Sequence, residues 1–196
     1  MDKNRKAWQA LAAGLVVSAG LLAGAPTVAG EVSGHFYDGD RRVPISVQAD
    51  LVADFAKAPG GHAAALGAGA TLVPGVGDSL VRIYRVSGIT TRSTEAAAVP
   101  TIGAPVYRQG DSPAGRLMTL PGGVLVKFKP DWSRAQIDAF VAGYGVKVER
   151  KLAIDGNWFR IQTDAGAVSL QIANAMYESG QVLAASPNWW METKTR

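Results

Sequence analysis

The chain has no cysteine and only two histidines, His35 and His62, among its 196 residues. Without a thiol, neither a disulfide nor thiolate chemistry can stabilise or operate it. Two imidazoles 27 residues apart do not make a metal site. Serines and aspartates are plentiful, but none sits in a nucleophile elbow or a Ser-His-Asp framework. Gly75-Val76-Gly77 is a fragment of a phosphate-loop pattern without its partner residues and reads as a loop. No basic cluster with interleaved aromatics points to nucleic acid. These absences predict a chain that is not an enzyme and calls for no cofactor and no metal.

What is present begins with a leader. Lys3, Arg5 and Lys6 precede an apolar Gly/Ala-rich run from Ala7 to Ala25, and Thr27-Val28-Ala29 offers small residues at cleavage spacing. Residues 1–29 are therefore expected to be a signal peptide cut near Ala29, giving a secreted or periplasmic protein with no membrane attachment. A retained anchor is the alternative, disfavoured because so much of the run is Ala and Gly rather than Leu. No later segment approaches the roughly 20 apolar residues that span a bilayer. The formal net charge is +4 for the whole chain, and without Lys3, Arg5, Lys6 and Asp2 it falls to +2. A basic balance that small is weak evidence for a polyanion partner. At 47% hydrophobic and 18% charged, the rest is an ordinary globular composition, long enough to stabilise itself by its core.

The remainder divides unevenly. Residues 30–121 are rich in Gly, Ala and Pro, with strand-like pieces at Val43–Val47, Leu51–Lys57, Leu80–Val86 and Ala104–Gln109. Gly60–Ala70 is close to low complexity and reads as a flexible or poorly formed helical connection. This region is expected to be a smaller α+β half, a degenerate copy of the downstream half being one option. Residues 122–190 are more regular. "GVLVKFKP" alternates as a half-buried strand stopped by proline. Ser133 with Gln136 forms a capping box, and Ile137, Phe140, Val141 and Tyr144 recur at helical spacing up to Gly145. "VKVERKL" and "NWFRIQT" read as strands joined through Asp155-Gly156. A second helix is expected from Ala167 to Ser179, with Asp164 as N-cap and Val168, Ile172 and Met176 aligned; "QVLAASPN" follows as a last strand. Strand, helix, strand, strand, helix, strand is the split βαβ, ferredoxin-like order, an α+β fold with both helices on one sheet face.

Alternation then assigns the other face. With Val126, Phe128, Val148, Phe159 and Ile161 towards the helices, Leu125, Lys127, Lys147, Trp158, Arg160 and Gln162 point away. The first and third strands are central in this order, which places Leu125 and Trp158 mid-face. A Trp ringed by Lys and Arg suits the centre of a binding surface. The alternative is that the upstream half covers it.

The stretches "GGVLVKFKPDWSRAQIDAFVAGYGVKVERKL", "WFRIQTD", "SLQIANAMYESGQV" and "AASPNWW" resemble the N-terminal prodomain of secreted subtilisin-like serine proteases, the fervidolysin type in particular. The closing motif of that family, a strand ending in Ala-x-Pro-Asp/Asn and an aromatic, corresponds to Ala185-Ser186-Pro187-Asn188-Trp189. Residues 35–190 are spanned, more loosely between Ala58 and Val99. The resemblance implies an inhibitor or folding chaperone whose open sheet face docks on the protease while its C-terminal tail lies in the substrate cleft as an added strand. Only Trp190 to Arg196 follow the motif, so the partner is expected in trans. The residues implied in partner binding are Leu125, Lys127, Trp158, Arg160, Trp189, Trp190 and Met191, with 191–196 as a mobile tail. The competing expectation is a non-inhibitory secreted interaction module, or the remnant of a protease that lost its catalytic domain.

Overall fold

The computed structural model describes residues 34–55, 69–86, 103–110 and 112–193. The expected leader, His62 and most of the Gly60–Ala70 connection lie outside them. The described residues form an α+β protein of two mostly antiparallel sheets and two helices.

The downstream part holds six elements that we number with the whole chain: β7 (Val124–Lys127), α1 (Arg134–Ala142), β8 (Lys147–Lys151), β9 (Trp158–Gln162), α2 (Ala167–Glu178) and β10 (Ala184–Pro187). The strands lie in the order β10-β7-β9-β8, every pair antiparallel, so β7 and β9 are central. Period-two alternation sends Val124, Val126, Phe159 and Ile161 into one cluster with Ile137 and Val141 of α1 and Ala173 and Met176 of α2. Both helices therefore cover the same sheet face. Phe128, fully buried, is the hub of an aromatic chain: Trp132 stacks on it at 5.5 Å, with Phe140 at 5.9 Å and Phe159 at 5.8 Å edge-on.

The helix starts differ. Ser133 caps α1 through a full capping box with Gln136, as its spacing predicts. Asp164 does not cap α2. The N-cap is Gly166 at φ 96°, whose amide donates to Leu120 O while Ser169 Oγ donates to its carbonyl. The chain must turn there to leave the upstream sheet, and glycine takes that conformation without a Cβ penalty. Val168 is also displaced from the expected core face and is 38% exposed. α2 is apolar on two sides instead: Ala173 and Met176 face the four-stranded sheet, and Leu170 faces the upstream part.

The described residues of the upstream part show no helix to match those downstream. Its described residues are all strand or loop: β1 (Gly34–Asp38), β2 (Arg41–Asp54), β3 (Ala70–Gly77), β4 (Arg82–Val86), β5 (Ala104–Gln109) and β6 (Leu117–Thr119). They join β11 (Trp190–Met191) in one seven-stranded sheet, ordered β11-β6-β5-β2-β4-β3, with β1 also paired to β2. Gly75-Val76-Gly77, expected as a loop, ends β3, where the pairing with β4 shifts register between Leu72 and Gly77. The two pieces expected at Val43–Val47 and Leu51–Lys57 are one bent strand. Between Val47 and Val52, β2 passes five residues while β5 passes two, Tyr107 to Pro105, and odd-numbered residues change face. Val43 and Ile45 consequently join one core cluster, and Leu51 and Ala53 another.

The sheet is rolled. Six strands laid flat at about 4.8 Å spacing would separate β11 from β3 by about 24 Å. Yet the Trp190 indole N–H donates to Asp78, one residue beyond β3, at 2.8 Å. The cluster inside the roll contains Leu51, Ile83, Val106 and Leu117, with Val73, Val76 and Trp190 packed against it. The cluster outside the roll contains Phe36, Ile45, Tyr107 and Met118, closed by Leu170 and Trp189. α2 is thus clasped between the two sheets. Asn174 Nδ2 donates to His35 O at 2.8 Å, and Tyr37 stacks on Tyr177 at 4.2 Å.

Candidate functional site

The face of the four-stranded sheet away from the helices carries Leu125, Lys127, Trp158 and Arg160, all half-buried, with Lys147 and Gln162 exposed at its edge. Their register is that of a continuous patch on the two central strands. Leu125 lies opposite Arg160, Lys127 opposite Trp158, and Ser186 of β10 opposite Leu125. The contacts between the upstream sheet and this layer run through α2 and the β1–β10 side.

Two glycines let the patch lie flat. A Cβ at Gly123 (φ 89°) would sit 3.0 Å from Arg160 Nε, so the guanidinium rests across bare backbone. A Cβ at Gly156 (φ 95°) would meet Lys127 Cε at 3.3 Å and the Trp158 ring at 3.5 Å. Gly156 also supplies the hairpin's left-handed turn, so one residue shapes both loop and surface. Over Gly156 the Lys127 ammonium stands 5.8 Å from the Trp158 ring centre. Arg160 pairs with Glu149 at 2.9 Å. At the end of the face, Lys127, Pro130, Lys151, Asn157 and Leu183 line a shallow groove. Its wall includes Leu183, which is 49% exposed.

The tail residues are elsewhere. Asn188 leaves β10 by donating its amide to Gly123 O at 2.9 Å and its side chain to Gly122 O at 3.1 Å. Trp189 and Trp190 then fall on opposite faces of the rolled sheet. Trp189 meets Phe36 and Tyr107 edge-on at 5.2 and 5.7 Å, and Trp190 enters the inner cluster. β11 pairs with β6, and Glu192 closes the strand: its amide donates to Leu117 O at 2.9 Å and its carboxylate accepts from the Leu117 amide at 3.2 Å. Trp190 and Met191, expected to lead or open the mobile tail, form an edge strand, while residues 194–196 lie outside the described residues. Pro187 ends pairing in the small sheet, and the next residues find donors and acceptors on β6.

The seven residues expected to bind a partner therefore fall into two groups. Leu125, Lys127, Trp158 and Arg160 are brought together on the open face. Trp189, Trp190 and Met191 are not part of it and stitch the second sheet. Arg150 and Leu183 were missed by the sequence reading. Arg150 could have been found only by anticipating a bulge, since the β8–β9 register shifts between Val148 and Arg150 and turns Arg150 to the side of Arg160. Among the described residues no group of three or more His, Asp or Glu side chains converges as a metal site would require. Comparison with family models, with curated proteins and with solved structures finds no match.

Proposed function

We propose that this chain is a prodomain-like protein-binding unit, with a ferredoxin-like four-stranded half, that engages a subtilisin-like serine protease in trans as inhibitor or folding chaperone. The observation that carries the reading is the face of the small sheet turned away from both helices: a patch centred on Trp158 and bordered by Lys127 and Arg160, all partly open to solvent. The strand order β10-β7-β9-β8 with both helices on the other side supports the fold assignment. The prodomain-like motifs quoted above support the choice of partner, and the leader expected from the sequence would fit an exported protein. A half-buried aromatic beside half-buried cations matches the composition of interface centres, where Trp and Arg contribute most.

The docking mode differs from the one first expected. Trp190 and Met191 belong to this chain's own sheet, so the open face, and not a tail led by the tryptophans, is the contact that supplies affinity. That placement equally favours a second reading, a secreted interaction module that binds without inhibiting. Titrating a subtilisin-type protease with the purified protein separates the two. Stoichiometric loss of activity, weakened by Trp158→Ala, is the expected result. Binding with full retention of protease activity supports the module instead, and an absence of both binding and assisted refolding defeats the protease reading.

A further inference from the structure

The open face is also unbalanced in charge. Lys127, Lys147, Arg150 and Arg160 project from it or its edge strand, against one carboxylate, Glu149. Glu149 is taken up by Arg160 at 2.9 Å. Among the described residues, Lys127, Lys147 and Arg150 have no carboxylate within ion-pair distance. Arg150 moreover stands directly opposite Arg160 in the β8–β9 ladder. Like charges directly opposed across a ladder destabilise a sheet. The bulge at Glu149 relieves Arg160 but leaves Arg150 unneutralised. Elsewhere Arg41, Arg85 and Arg134 pair with Asp38, Asp50 and Asp138.

We infer that the open face is built to take an acidic protein surface, one that lays carboxylates against Lys147, Arg150 and Lys127 around the Trp158 ring. Resting on the protease reading, this names the chemistry of the partner's docking face. Complementary charge of this kind speeds encounter and selects the partner, and it is screened by salt. A single aromatic on the whole face favours protein over a nucleic-acid strand, which needs successive rings on which bases can stack.

Poly-L-glutamate serves as the probe, with the full chain, following the Trp158 indole N–H resonance assigned by Trp158→Phe. The expected result is a saturable shift that weakens about tenfold between about 20 and 200 mM NaCl. The same weakening is expected in Lys147→Glu/Arg150→Glu at low salt, with the melting temperature held or raised because the opposed arginines are gone. Arg150→Gln alone should give an intermediate loss and guards against misfolding of the double variant. No shift at Trp158, equal binding by the reversed variant, or preference for oligo(dT) over poly-L-glutamate at matched charge overturns the inference. Inhibition of a subtilisin-type protease measured on the same variants keeps the two readings apart. Inhibition unaffected by charge reversal defeats the acidic-face inference alone. Binding of poly-L-glutamate without any protease engagement defeats the protease reading alone.

Discussion

The two sheets solve the same problem in opposite ways. The four-stranded sheet buries one face under α1 and α2 and leaves the other, with Trp158, open. The seven-stranded sheet rolls, so its inner face packs on itself while its outer face meets α2 and Trp189. Three tryptophans mark the contrast. Trp189 and Trp190 each pack against a core cluster, whereas Trp158 belongs to none and carries Lys127 over its ring with a glycine beside it. An aromatic on a sheet is thus structural or available according to whether a second layer reaches it.

The largest effect expected belongs to the core between the four-stranded sheet and its helices. Phe128→Ala removes the hub of the aromatic chain and should destabilise the fold by about 3–5 kcal/mol, read by denaturant titration. The stitch comes next: Trp189→Ala should cost about 3 kcal/mol and Trp190→Ala about 2 kcal/mol. If either proved neutral, the tail would not hold the rolled sheet. Ser133→Ala removes the α1 cap and should cost about 1 kcal/mol, a loss confined to the open-faced half.

A smaller effect is read through pH. The Trp190 indole N–H first, then the Leu80 and Val81 amides, hold the Asp78 carboxyl below its ordinary 3.8. A depressed folded-state value stabilises the protein above the unfolded value, and that contribution is lost as pH falls through the carboxylate range. Trp190→Phe should therefore flatten the decline in melting temperature between about pH 5 and pH 2 relative to wild type. An unchanged acid limb would mean that the indole does not bond Asp78 in solution.

The open-faced half was legible because its signals are local. The capping box, the alternation of "VLVKF" and "WFRIQ" and the Asp155-Gly156 turn each act within a few residues. Half of the candidate site followed from the same alternation. The rest depends on contacts far apart in sequence. β11 is two residues long and exists because β6, some 70 residues earlier, offers an edge. The bend in β2 has no glycine or proline at its centre to announce it, and Asp164 offered a better cap by composition than the Gly166 that the crossing from Leu120 requires. Sequence separation, more than any unusual residue, hid the rolled sheet.

The most direct measurement pairs two readouts on Trp158→Ala: the free energy of unfolding, and the inhibition constant for a subtilisin-type protease that the wild-type chain inhibits. A docking face predicts a stability loss of less than about 1 kcal/mol, because the ring is already partly open to solvent, together with at least about tenfold weaker inhibition. A loss of about 3 kcal/mol or more with inhibition intact would contradict the account, since Trp158 would then be a core residue and the open face not a surface at all.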